Sequence, residues 1–295
     1  MRIRLSALIP AALGAVFFLS AGAQPDAQLS FARGDIVVSL EHGPVQWWRA
    51  DGTLVRTLVG REVGTGEGMA FDAAGNLYVA RWCFGMCLGG GNSVEVFSSE
   101  GVSVGNFGSG YDCSPRTIVF DGPGTAYVSQ AGCTGAILKF VPGRPPVSYN
   151  VAWDFQGSFW IDLAPDRCTM FYTSYGPNVK RYDVCADVQL PDFNVAPVPG
   201  GLAHDLRVLP DGGVIVATGE VISRLDAHGV LTRTYSVPDE PSYWAGVEVV
   251  NGDTLWAANY ESSRVHRFDL TTGDRTATLD ANTPRHTVVA VRVKQ

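Results

Sequence analysis

Residues 94–101 have the sequence VEVFSSEG, in which apolar and polar side chains alternate and a polar turn ending in glycine follows. Comparable copies of this strand-and-turn pattern recur along the chain. Each copy can be anchored on one apolar or aromatic side chain: Trp48, Phe97, Phe140, Tyr182, Leu225 and Phe268. Successive anchors lie 49, 43, 42, 43 and 43 residues apart. A period this regular indicates a repeat architecture.

Further short β-rich runs accompany each copy, and turns rich in Gly, Asp, Asn and Pro separate them. Units of four short strands that recur every ~40–45 residues are typical of β-propeller blades. We therefore predict an all-β fold, a six-bladed β-propeller of four-stranded blades. A pair of β-sandwiches is the alternative, but it gives no reason for the period. The predicted blades span residues 34–60 together with 286–293, 67–107, 115–152, 159–196, 203–238 and 244–281.

The two ends of the repeat region indicate how the ring closes. The first unit contains only three strands of its own, whereas the C-terminus carries a spare apolar run at residues 286–293. This run resembles the innermost strand of a blade. Placed beside the first three strands, it completes blade 1 and removes an open sheet edge.

The N-terminus has the pattern of a secretory signal peptide over residues 1–23. Arg2 and Arg4 precede an apolar run, and Ala21 and Ala23 supply the small side chains before the cleavage point. The alternative, a membrane anchor, would need ~20 apolar residues, and this run is shorter. We predict cleavage near Ala23, a secreted or periplasmic product and no stable membrane insertion. The propeller then occupies residues 24–295.

The overall composition describes a folded, acidic chain. Hydrophobic residues make up 46% and charged residues 17%, and the formal net charge is -7. A nucleic-acid-binding protein normally presents a basic face, so this charge argues against a nucleic-acid partner. We expect a monomer.

Six cysteines in an exported chain predict disulfides. Cys168 and Cys185 lie in the one-to-two and three-to-four turns of blade 4, which share one face of the ring, so we predict that they pair. The other four cysteines lie toward the opposite face. We favour the local pairs Cys113–Cys133 and Cys83–Cys87, with crossed pairing among these four as the alternative.

Residues 68–80 (GMAFDAAGNLYVA) and 253–260 (DTLWAANY) resemble NHL-type repeats. Such repeats occur in six-bladed propellers of the streptogramin-lyase-like and SMP-30/gluconolactonase-like groups, and the resemblance covers residues 34–293. It implies either a binding module or a metal-dependent lyase or lactonase. The enzymes hold a divalent cation with carboxylate, Asn or His side chains around the central channel. A full set of those residues is not matched here, so no catalytic role is transferred.

The propeller topology predicts where a ligand would bind. Innermost strands begin on the face that also carries the loops between second and third strands, and concave sites commonly form there around the channel mouth. Starts of innermost strands include Glu67, and the loops between second and third strands add Arg81, Trp82, Gln130, Tyr175, Glu220, Asn259 and Tyr260. The predicted ligand-binding residues are Arg116, Trp160, His204, Trp244 and His286. Aromatic faces with convergent polar groups suit a sugar or another small polar ligand.

The sequence also offers candidate ligands for a divalent cation. Asp162, His204 and Glu248 lie on inner strands, and oxygen-rich sets suit Ca²⁺ or Mg²⁺. The leading functional hypothesis is an exported propeller that binds a small polar ligand or an extracytoplasmic protein at the channel mouth, without identified catalysis. The alternative is a divalent-metal-dependent lyase or lactonase that acts in the channel.

Overall fold

The computed structural model describes residues 29–62, 64–83, 91–122 and 124–295. The predicted signal peptide lies outside the described residues. The described chain forms six four-stranded antiparallel sheets arranged as blades in a ring. The all-β, six-bladed propeller is therefore confirmed.

The strands of each blade follow one another in sequence, with one exception at the point of closure. From the channel outward, blade 1 consists of β24 (Val288–Val293), β1 (Ile36–Leu40), β2 (Val45–Trp48) and β3 (Leu54–Leu58). Blade 2 has β4 (Thr65–Phe71), β5 (Leu77–Trp82), β6 (Ser93–Phe97) and β7 (Ser103–Phe107). Blade 3 has β8 (Pro115–Asp121), β9 (Thr125–Gln130), β10 (Ile137–Phe140) and β11 (Val147–Tyr149).

The other three blades repeat this order. Blade 4 has β12 (Ile161–Leu163), β13 (Thr169–Tyr172), β14 (Lys180–Asp183) and β15 (Val188–Leu190). Blade 5 has β16 (Leu206–Val208), β17 (Val214–Ala217), β18 (Ile222–Leu225) and β19 (Leu231–Tyr235). Blade 6 has β20 (Trp244–Val250), β21 (Thr254–Asn259), β22 (Arg264–Asp269) and β23 (Arg275–Asp280).

Strand β24 closes the ring, as the sequence predicts. It pairs antiparallel with β1, with Ile36 opposite Val293 and Val38 opposite Val291. It also packs against the innermost strands of both neighbouring blades, β20 and β4. The packing beside β20 is close: a Cβ on Gly246 would lie 2.8 Å from the Cα of Ala290. Glycine is required there because any side chain would separate blade 6 from β24.

Burial decreases from the channel outward. The inner strands are buried along most of their length, and their apolar side chains form clusters between neighbouring blades. The outermost strands such as β19 and β23 are largely exposed and carry charged or polar side chains. Charge on an outer edge disfavours pairing with another sheet.

Two disulfides join the predicted cysteines, Cys113 to Cys133 and Cys168 to Cys185. Cys83 is also disulfide-bonded, and Cys87, its predicted partner, lies outside the described residues. Structural disulfides indicate that the chain folds in an extracellular or otherwise oxidising compartment. In the described part of the chain, no helix has the length and apolarity needed to cross a membrane.

Candidate functional site

A cavity of about 280 Å³ opens where the innermost strands begin, at the face predicted from the topology. We call it the mouth cup. All six blades contribute to its wall, so its geometry depends on the closed ring. The lining residues are Glu41, Thr65, Glu67, Trp82, Arg116, Gln156, Phe159, Tyr175, His204, Tyr243, Ala245, Tyr260 and Val289.

Three tyrosines from blades 4 and 6 form one side of the mouth cup. The hydroxyls of Tyr175 and Tyr243 are 2.5 Å apart and share a hydrogen bond. The rings of Tyr243 and Tyr260 lie 5.9 Å apart between centroids, and the Tyr260 hydroxyl donates to Oε2 of Glu41 at 2.8 Å. Burial, reinforced by the Glu41 hydrogen bond, raises the pKa of Tyr260 to about 12. The phenol of Tyr260 is therefore a neutral hydrogen-bonding group at ordinary pH, and burial raises the pKa of Tyr243 as well.

A buried ion pair occupies another part of the wall. Glu67 and Arg116 begin the innermost strands of blades 2 and 3, and their Oε1 and Nη1 atoms are 2.7 Å apart. The guanidinium also lies over the rings of Trp82 and Phe159, 4.3 and 4.5 Å from their centroids. Burial raises the pKa of Glu67, and the charge of Arg116 opposes this shift. The pair places opposite charges side by side in a water-poor environment.

His204, which precedes β16 of blade 5, presents a neutral imidazole to the mouth cup. Its Nδ1 is 2.6 Å from the carbonyl oxygen of Ala245. Because a carbonyl oxygen only accepts, Nδ1 carries the hydrogen and Nε2 keeps its lone pair. Burial, and then the charge of Arg116, lowers the pKa of His204 to about 3. The rings of Phe159 and Tyr243 hold the imidazole in place at centroid distances of 4.9 and 5.7 Å.

Trp160 and Trp244 differ from their predicted role as ligand-stacking surfaces. Both indoles are completely buried, with 0% exposure, and neither lines the mouth cup. Trp160 packs against Phe159 and His204, and Trp244 packs in the core beside Phe268. They act as supports behind the wall, because each indole faces the space between blades rather than the channel.

The residues that line the cup at these two positions lie one place earlier in the sequence. Phe159 directly precedes Trp160, and Tyr243 directly precedes Trp244. Phe159 and Trp160 precede β12, and Tyr243 precedes β20; at each position one ring lines the cup and its neighbour lies buried behind it. The sequence analysis also missed Glu41 and Gln156, which have no distinguishing local pattern.

His286 lies on the rim of the mouth cup rather than in its wall. Its ring is 5.4 Å from that of Tyr260, and about half of the side chain is exposed. Its Nε2 is 2.8 Å from Oε2 of Glu261. Of the five predicted ligand-binding residues, the structure thus brings Arg116 and His204 together in one cavity.

The three metal candidates do not converge. His204 lies at the mouth, whereas Asp162 and Glu248 line a cavity of about 440 Å³ that also includes the C-terminal Gln295. In the ranges that the structure describes, one group of potential ligands is close enough to hold an ion: Cys168, Asp183 and Cys185. Its two sulfur atoms are bonded to each other, so they are not thiolate ligands.

The carboxylates inside the channel already have partners. Arg207 donates to Asp205 at 2.8 Å and to Glu248 at 3.0 Å, and Arg292 also pairs with Glu248. Asp162 accepts a hydrogen bond of 2.8 Å from the backbone N–H of Val208. Burial raises the pKa of Asp205 to about 6. This network links the innermost strands of several blades electrostatically, and its acids are engaged in ion pairs and backbone hydrogen bonds.

Comparison with known proteins shows the fold class. No protein-family model and no curated protein sequence matches the chain. A structure from a nidogen/laminin complex aligns with a TM-score of 0.70 at 14% identity, covering 89% of this chain and 99% of that chain. A protein of unknown function from Bacteroides caccae aligns with a TM-score of 0.68 at 12% identity, covering 88% and 98%.

A third similar structure is virginiamycin B lyase from Staphylococcus aureus. It has a TM-score of 0.58 and 14% identity, and the alignment covers 76% of this chain and 73% of that chain. At these identities the likeness concerns the backbone architecture. The chain is thus a six-bladed β-propeller, a fold shared by proteins with different roles.

Proposed function

We propose that this protein is an exported propeller, secreted or periplasmic, that binds a small polar ligand in the mouth cup. The observation that carries the proposal lies in the cup wall: within the described residues, Oε2 of Glu67 and Nε of Arg116 are buried without a hydrogen-bond partner, next to the neutral imidazole of His204. Buried polar groups normally have a partner, so these unpartnered atoms in a cavity wall favour a bound ligand or water beside them.

The size and composition of the mouth cup support a small ligand. Its volume of about 280 Å³ lies near the lower end of ligand pockets. Tyrosine rings offer flat apolar faces, while their hydroxyls, Glu41 and His204 offer hydrogen bonds. Small-molecule sites commonly combine mostly apolar walls with a few convergent polar groups.

A metal-dependent lyase or lactonase has less support. Such an enzyme needs several ligand atoms directed at one ion. Asp162 and Glu248 are engaged by Val208 and by two arginines, and His204 lies at a separate cavity. Arginine partners compete directly with a cation for these carboxylates.

A protein partner is the second candidate, because exposed aromatic side chains lie beside the mouth cup. Trp153 is 44% and Phe155 67% exposed, and Phe155 directly precedes Gln156 of the cup wall. Exposed aromatics are enriched at protein interfaces. A protein bound there would cover the rim and the mouth together.

The experiment is a small-molecule thermal-shift screen of the chain from residue 24 onward, followed by calorimetry on each compound found. Tyr243→Phe removes one hydroxyl from the cup wall and keeps the ring. Tyr182→Phe is the matched control, because its hydroxyl bonds to Asp187 in the three-to-four turn of blade 4, on the other face. Binding that weakens in Tyr243→Phe alone supports the proposal. Compounds whose affinity is equal in wild type and both variants bind elsewhere and contradict it.

A further inference from the structure

The chemistry of the mouth cup restricts the charge of its ligand, and His204 is the first reason. Its Nε2 lone pair accepts a hydrogen bond, because the hydrogen is held on Nδ1 by the Ala245 carbonyl. A ligand atom placed against Nε2 must therefore be a donor. Carboxylate and phosphate oxygens are acceptors and would meet the lone pair unfavourably.

The paired tyrosines supply the complementary group. Tyr175 and Tyr243 each have one hydroxyl hydrogen, and one of these is used in the bond between them. The second hydrogen remains available to an acceptor. Both rings pack edge-on toward His204, with centroid distances of 6.0 and 5.7 Å. The same region of the wall therefore offers one acceptor and one donor, which is the pattern that an alcohol hydroxyl satisfies.

A positively charged donor does not suit this region. Arg116 lies close enough to His204 to disfavour positive charge there, as its effect on the pKa of the imidazole shows. The guanidinium also covers Trp82 and Phe159, so these ring faces are already used by a cation. Repulsion from Arg116 therefore disfavours a ligand ammonium at His204.

A negatively charged ligand is disfavoured from the other side of the cup. Glu41 and Glu67 both line the wall. Arg116, which could attract an anion, is paired with Glu67 at 2.7 Å. An anionic ligand therefore meets two carboxylates, and the guanidinium that would attract it is already engaged by Glu67.

Building on the proposed function, the geometry points to a neutral, hydroxylated ligand of about one sugar ring, one hydroxyl of which donates to Nε2 of His204 and accepts from the Tyr175–Tyr243 pair. The flat faces of the tyrosines suit the apolar face of such a ring. A neutral monosaccharide, free or at the end of a glycan, is the ligand class.

The test uses probes that share a ring size and differ in charge. Glucose, galactose, mannose and xylose are the neutral probes, glucosamine is the cation and glucuronate the anion, each titrated by calorimetry or ligand-observed NMR at millimolar concentrations. We expect at least one neutral sugar to bind about tenfold or more tightly than both charged sugars. Equal or tighter binding of a charged sugar, or no binding of any neutral sugar, overturns the inference.

Two variants connect the selectivity to the cup. In His204→Asn the amide N–H can replace Nδ1–H toward Ala245, while the acceptor at Nε2 is lost. His228→Asn is the control, because His228 lies in the exposed β18–β19 turn on the other face. We expect neutral-sugar affinity to fall about tenfold in His204→Asn and to stay unchanged in His228→Asn. If His204→Asn does not fold, Tyr243→Phe tests the donor, with Tyr182→Phe as its control.

The outcomes separate this inference from the proposed function. If compounds from the thermal-shift screen require Tyr243 for binding but no neutral sugar binds, the mouth cup remains a small-ligand site. The inference that its ligand is a sugar is then wrong. Sugar binding that survives both cup variants places the sugar elsewhere and contradicts the inference. If the screen finds no compound and no neutral sugar binds, both proposals are contradicted.

Discussion

The neutral state of buried His204 should make the protein less stable in acid. In the folded chain its pKa is about 3, against about 6.5 for an imidazole in water. Between these values the unfolded chain binds a proton that the folded chain does not, so acidification favours unfolding. The stabilisation is complete above the unfolded pKa and is lost as the pH falls toward the folded pKa.

The size of the effect follows from the two pKa values. Lowering the pH from 7 to 5 should reduce the free energy of unfolding by about 2 kcal/mol through His204, and lowering it to 4 by about 3 kcal/mol. Asp205 acts in the opposite direction, because burial raises its pKa to about 6. The folded chain keeps a proton on Asp205 that the unfolded chain releases, so acidification below this pKa favours folding. The wild-type profile contains both contributions.

A comparison of variants isolates His204. Urea unfolding of wild type, His204→Asn and His228→Asn would be measured at several pH values between 7 and 4, with the disulfides intact. The difference in unfolding free energy between wild type and His204→Asn should shrink by about 2 kcal/mol from pH 7 to pH 5. His228→Asn should follow wild type. Parallel profiles for wild type and His204→Asn would refute a buried neutral imidazole.

Three further outcomes are expected from the fold. Trp160→Ala and Trp244→Ala should each lower the unfolding free energy by about 3–5 kcal/mol in urea, because both indoles are core; losses below 1 kcal/mol would contradict their burial. Deleting residues 286–295 should cause aggregation or loss of the cooperative melt, since it removes β24; a soluble chain with the same Tm would argue against closure. Replacing Cys168 and Cys185 by Ser should cost about 3 kcal/mol in thermal or urea unfolding, given their separation of 17 residues, and an unchanged stability would exclude a stabilising bond.

Much of the architecture could be predicted because it depends on local patterns repeated along the chain. The anchors from Trp48 to Phe268 indicate six units, and a four-stranded unit must bury its faces against neighbours. The spare C-terminal strand follows from counting three strands in the first unit. The bond between Cys168 and Cys185 follows once the strand order places both turns on one face.

Two of the predicted ligand-binding side chains line one cavity in the structure. Arg116 and His204 begin innermost strands and both line the mouth cup. The sequence analysis named Trp160 and Trp244, whereas the side chains that line the cup are those of the preceding residues, Phe159 and Tyr243. Neither position lies in a regular ladder: Phe159 and Trp160 precede β12, and the pairing of β20 with β21 shifts between Trp244 and Gly246. A bulge breaks the two-residue alternation on which a sequence-based orientation depends.

The sequence by itself determined the repeat, the number of blades and the closing strand. Only the tertiary structure decided which groups the mouth cup offers. The carbonyl of Ala245 selects the hydrogen position on His204, and burial, followed by the charge of Arg116 from another blade, keeps the imidazole neutral. Arg207 and Arg292 likewise engage Glu248, a carboxylate that the sequence left open to a metal. Strand periodicity is a short-range property of the chain, whereas protonation and ion pairing depend on contacts between distant blades.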